Sequence, residues 1–117
     1  MLGFLRAIEV LQKQKEQVMK QMKRATTEEK KTLQIVVDEL NESINYLHLK
    51  VNDFLIYMKN TDRKTYKVII KHYFESVSWD YACDDVYADA DSFRKAIERS
   101  CKKYDSLSDM DKNKAVN

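Results

Sequence analysis

Five bases fall within ten residues of one stretch: Arg94, Lys95, Arg99, Lys102 and Lys103. Guanidinium and ammonium groups at that density suit phosphate. An arginine also carries a donor fork that matches guanine O6 and N7, a contact worth about 1–3 kcal/mol of base discrimination. Arg94 and Lys95 come first in the run, where a recognition helix meets base edges, and Arg99, Lys102 and Lys103 are better placed for phosphates. Lys64, Lys67 and Lys71, spaced by three and four, extend the basic set on the preceding segment. Bases near a helix C-terminus also favour the helix dipole. That accounts for Lys102 and Lys103 but not for Arg94. The segment just before carries Asp80, Asp84, Asp85, Asp89 and Asp91 with no base among them. Asp80 and Asp84, four apart, share one face of a helix. Such a face is most simply solvated, and it can also meet a basic protein surface.

Other chemistries lack their residues. Counting from Asp89, a calcium loop would need ligands at Asp89, Asp91 and Phe93, with neither the glycine nor the terminal glutamate present. No Glu-x-x-His pair and no phosphate-binding glycine loop occurs. Cys83 and Cys101 make no metal set, since a structural zinc site wants four ligands and His48 and His72 lie on other segments. Both cysteines read as buried thiols of a reducing compartment. His48 and His72 read as surface or interface residues, and Trp79 as core at a junction between helices. Tyr66 and Tyr73 can stack on single-stranded bases, but their spacing favours core. No cofactor, no metal and no enzyme is expected.

The elements that position these residues are helical. With one glycine, no proline, 44% apolar and 34% charged residues, hairpin turns between strands have nothing to be built from. The chain is expected to be all-α. Phe4, Ile8, Leu11, Val18 and Met22 make an amphipathic helix over about 3–24, with Lys15 interrupting the seam. Thr26 and Glu29 then form a T-x-x-E capping box. Leu33, Val37, Leu40, Ile44, Leu47, Val51, Phe54 and Met58 alternate steps of four and three, the coiled-coil period. From Thr27 to Lys59 that gives a rod of about 50 Å. Folded back on the first helix, it makes a coiled-coil αα-hairpin. Ile35, Val36, Leu49, Leu55 and Ile56 exceed what one seam can bury, so the seam residues are expected to join copies in a dimer or higher bundle.

Beyond residue 60, Asn60, Thr61 or Asp62 can cap a third helix whose apolar face is Tyr66, Ile69, Ile70, Tyr73, Phe74 and Val77. Ser78 opens a short helix through Val86, residues 87–89 turn, and Asp89 or Asp91 starts a last helix burying Phe93, Ile97, Cys101 and Tyr104. This is helix-turn-helix spacing. Three regions result: a helical hairpin over 1–60, a three-helix helix-turn-helix unit over 61–104, and a frayed tail over 105–117. The 21 bases and 19 acids nearly cancel, so any electrostatic binding must be local. No apolar run approaches the roughly 20 residues of a membrane span, and the opening MLGFLRAIEV is charged too soon for a signal peptide. A soluble cytoplasmic protein is expected.

The stretch from Tyr66 to Tyr104 resembles the phage late-transcription regulators of the RinA and ArpU type, whose C-terminal part is similar to region 4 of bacterial sigma factors. The resemblance rests on HYFESVSW (His72 to Trp79), on Ala82-Cys83 and Val86 inside the first helix of the motif, and on DSFRK (Asp91 to Lys95) with its Ser92-Phe93 pair. Two positions depart from it. Tyr87 stands where the turn usually has glycine, a left-handed position that costs a residue with a Cβ about 1–2 kcal/mol. Asp89 replaces the usual serine cap and brings a negative charge toward a phosphate. The resemblance implies double-stranded DNA as partner, contact with RNA polymerase, and control of phage or prophage genes in a bacterial host cell; the acids of the motif make that DNA binding weak or assisted. A homodimer would present two recognition helices to half-sites about one DNA turn apart. The alternative is a helical protein-interaction module, a phage-encoded inhibitor or adaptor, whose helix-turn-helix no longer reads DNA.

Overall fold

The computed structural model describes residues 1–84 and 89–116. Among the described residues there are six α-helices and no strand: α1 (Leu2–Met22), α2 (Thr27–Thr61), α3 (Arg63–Ile69), α4 (Trp79–Asp84), α5 (Ala90–Ser106) and α6 (Asp109–Val116). A π-helical turn, Ile70–Phe74, continues α3. A long N-terminal hairpin is thus followed by shorter helices, as the composition predicts. None of the described helices is long and apolar enough to cross a membrane.

Local chemistry sets most of the boundaries. Glu29 N–H donates to Thr26 Oγ1 at 3.3 Å and Thr26 N–H donates to Glu29 Oε2 at 3.4 Å. That is the predicted capping box, and it starts α2 directly after the turn from α1. Asp62 breaks the helix at φ −152° and caps α3, accepting from Thr65 N–H at 3.2 Å and from Thr65 Oγ1 at 2.7 Å. Ser78 caps α4 through Tyr81 N–H at 3.4 Å, and Asp89 caps α5 through Ser92 N–H at 3.3 Å. Each such cap contributes about 1 kcal/mol.

Two features differ from the expectation. The helix expected to run on through residue 77 widens into the π-turn, where Glu75 N–H donates to Ile70 O at 3.1 Å and Val77 N–H to Lys71 O at 2.9 Å. Ser76 then adopts φ +57°, the left-handed backbone that lets the chain leave a helix. The tail expected to fray forms α6 instead. Ser108 caps it through Asp111 N–H at 3.2 Å, and it packs along α2. Lys112 Nζ lies 4.7 Å from the centre of the Tyr104 ring. A capped turn held by a neighbouring helix needs no apolar periodicity of its own.

A single core joins the base of the hairpin to the C-terminal helices. Leu5 and Ile8 of α1, Val51, Phe54 and Met58 of α2, Val68 and Ile69 of α3, and Ile97 and Cys101 of α5 are all buried in it. At its margin the Tyr104 ring meets those of Phe54 and Tyr57, with ring centres 5.2 Å apart in each case. The core crosses the boundary at residue 60.

Candidate nucleic-acid interface

α5 presents the predicted two faces. Ile97, Cys101 and Tyr104 are buried and Phe93 is half-buried, while Arg94, Lys95, Arg99, Lys102 and Lys103 are all exposed. Asp91 and Glu98 share the exposed side. Arg94 is partly engaged. Its guanidinium lies 3.8 Å from the Asp91 carboxylate and 5.8 Å from the centre of the Trp79 ring. An exposed pair at that distance contributes about 0–1 kcal/mol at most, so a phosphate or base edge competes with it easily.

On α3, Lys64 and Lys67 are exposed, and Lys71 is half-buried in the π-turn. Packing of α3 on α5 brings Lys64 and Arg99 to one open cleft, lined also by Thr65, Ser92 and Phe93. Bases thirty-five positions apart in the sequence therefore share one surface. Asp80 and Asp84 are exposed on α4, and Asp85 lies outside the described residues, as do Val86 and Tyr87. Between Asp80 and Asp84, Tyr81 is 73% exposed. One tyrosine on a six-residue helix carries no periodic signal in the sequence.

The seam expected to join copies is used within one chain. Val37, Ile44, Val51, Phe54 and Met58 are buried within one chain, and Leu33, Leu40 and Leu47 are half-buried. These seam residues face α1 and the C-terminal helices. Of the extra apolar residues of α2, Leu55 packs against the chain's own core. Ile35, Val36, Tyr46 and Leu49 stay exposed.

The histidines part company. His48 is exposed as a residue, but its ring meets Phe74 edge to face with ring centres 4.5 Å apart, and the partial desolvation lowers its pKa. His72, expected at the surface, is buried. Its Nδ1 is 2.8 Å from Val77 O and its Nε2 3.1 Å from Glu9 Oε1. Trp79 stacks on it, with ring centres 3.7 Å apart and planes 21° apart. The signal was out of reach of local patterning, since Glu9 and His72 are 63 positions apart.

Cys83 and Cys101 are buried free thiols, as predicted. Burial raises both thiols, that of Cys101 to about 11, with the carboxylates of Asp80, Asp89 and Asp84 adding to the rise at Cys83. A raised thiol pKa disfavours the thiolate, the nucleophilic form. Among the described residues no group of side chains could hold a metal ion. No family model matches the chain, and no curated protein or solved structure matches it.

Proposed function

We propose that this chain is a DNA-binding regulator of transcription, of the kind that controls phage or prophage genes, and that α5 is its reading helix. The observation that carries the reading is the exposed face of α5: five bases on a helix whose other side is anchored in the core. Arg94 and Lys95, near its N-terminus, address base edges. Arg99, Lys102 and Lys103, with Lys64, Lys67 and Lys71 from α3 and the π-turn, address phosphates. Asp91 and Glu98 stand on the same face and oppose a polyanion. Binding is accordingly weak alone and strengthened by pairing of copies or by a second protein such as RNA polymerase.

A second reading is favoured by α4, where Tyr81 stands exposed between Asp80 and Asp84. Tyrosine is enriched at protein interfaces, and two flanking carboxylates fit a basic protein surface. Under that reading the chain is an adaptor or inhibitor, and α5 reads nothing.

Titration against fragments of the protein's own genome across salt separates the two. Each phosphate contact contributes about −0.9 to the slope of log K against log salt. Arg94→Glu/Arg99→Glu is expected to abolish specific binding, and Lys64→Ala to weaken all sequences alike and flatten the slope by about 1. Binding that ignores the double substitution, or none at low salt, ends the DNA reading. Activity lost instead with Asp80→Lys/Asp84→Lys favours the adaptor.

A further inference from the structure

The sharpest chemistry in the molecule lies where α1 meets the π-turn, away from the basic face. His72 is surrounded by acceptors. The Val77 carbonyl stands 2.8 Å from Nδ1 and the Glu9 carboxylate 3.1 Å from Nε2. A carbonyl and a carboxylate only accept hydrogen bonds, and a neutral imidazole has one N–H to give. Both contacts are made together only if the pair holds one further proton, on Nε2 or on Glu9. Lys13 Nζ donates to the same Glu9 Oε1 at 3.0 Å.

We infer that His72 and Glu9 form a proton-dependent latch between the N-terminal hairpin and the C-terminal helices, with Trp79 stacked on the ring as its third member. With the proton present, α1 is tied to the π-turn by a hydrogen bond, charge-assisted when the proton sits on the ring, and the ring stacks on the indole face. When the proton leaves, the lone pair on Nε2 faces a carboxylate oxygen, and the contact turns from attractive to repulsive. The sign is the same wherever the proton resides: the latch is closed at lower pH and opens as pH rises. Ser76, at φ +57°, and Ser78 border the same cleft beside His72 and Lys13, so solvent reaches the pair.

The surrounding charges come from every side of the junction. α1 supplies Lys13 and Arg6, the latter paired with Glu98 of α5 at 3.6 Å. The π-turn supplies Lys71 and Tyr73, whose ring centre is 4.9 Å from that of His72 and whose hydroxyl burial pushes up to about 12, leaving it neutral throughout. α4 supplies Asp80, next to Trp79 in sequence, and α5 supplies Arg94. None of them is a second imidazole. The other histidine, His48 of α2, meets the π-turn through Phe74, and it serves as the control.

Trp79 is the one tryptophan in the chain, so its emission reports on the latch directly. Emission and amide protection, corrected for intrinsic exchange, are followed from pH 5.5 to 9 in the whole protein, a window chosen to span histidine titration. The expected result is one transition in Trp79 emission. Over the same range the amides where α1 meets the π-turn should lose protection by about tenfold to a hundredfold, the equivalent of one charge-assisted hydrogen bond. His48→Gln is expected to keep both signals, and His72→Gln and Glu9→Gln to lose them. Protection in the wild type that is flat across this range overturns the latch, whether or not the variants fold. So does a transition that survives His72→Gln or disappears with His48→Gln.

Discussion

Ser76 leaves the π-turn at φ +57°, a backbone that costs a residue with a Cβ about 1–2 kcal/mol. Glycine there would remove that strain but would loosen the unfolded chain, an opposing effect of about 0.4–1 kcal/mol. The first is larger, so Ser76→Gly is expected to stabilise by about 0.5 kcal/mol, and Ser76→Val, β-branched at a positive φ, to destabilise. Urea midpoints at constant slope read both, and a stabilising valine would refute the strain. Cys101 gives a second expectation at this scale. Its thiol is raised to about 11 in the folded protein, by burial above all. The unfolded chain loses the same proton near 8.5. Folding stability from this group is therefore complete below the unfolded value and is lost as pH climbs through the folded one. Cys101→Ala should flatten the fall in stability between those limits, measured by urea unfolding at several pH values. An unchanged profile would mean that the thiol ionises freely in the folded state.

At the scale of elements, Phe54 tests whether the hairpin and the C-terminal helices are one cooperative body. It is fully buried on α2, and its ring meets Tyr104 of α5. Phe54→Ala should cost about 3–5 kcal/mol. Far-UV helicity and the tertiary signal of Trp79 should be lost at the same urea concentration, whereas separate transitions would mean two independent units. What the sequence disclosed at this scale follows from range. Thr26, Asp62, Ser78 and Asp89 are legible as caps because a cap acts across three residues. The seam from Leu33 to Met58 is legible because a helix face repeats every turn. The partner of a face is another matter. Nothing in the period of α2 says whether Leu55 meets another copy or the chain's own core. Nor does the spacing of Tyr66, Ile69, Ile70 and Tyr73 distinguish a helix that continues from one that widens after Ile69. His72 was misplaced for the same reason: its neighbour in sequence is Lys71, and its partner in space is Glu9.

At the scale of the whole molecule, the long hairpin sets the largest dimension of a body measuring 51 × 32 × 19 Å. Its outer side determines how copies can meet. Ile35 (60% exposed), Tyr46 and Leu49 (79% exposed) fall on the face of α2 opposite Val37, Ile44 and Val51, since positions 11 and 14 apart return to the same side of a helix. These side chains are what remains for the proposed homodimer once the seam is used within the chain. Asp38, Glu39 and Glu42 lie along the same stretch and are exposed, so two such faces repel electrostatically while their apolar side chains attract. Salt shortens the reach of that repulsion, with a screening length of about 10 Å at 0.1 M falling to about 3 Å at 1 M. Self-association should therefore tighten as salt rises, while DNA binding through α5 weakens by counterion release. Leu49→Lys is expected to leave helicity unchanged and to yield a monomer at every salt concentration. Sedimentation equilibrium of the wild type and this variant across salt measures both effects. A wild type that stays monomeric throughout would remove the dimer, and with it the paired half-sites, leaving a single reading helix that depends on another protein to hold it on DNA.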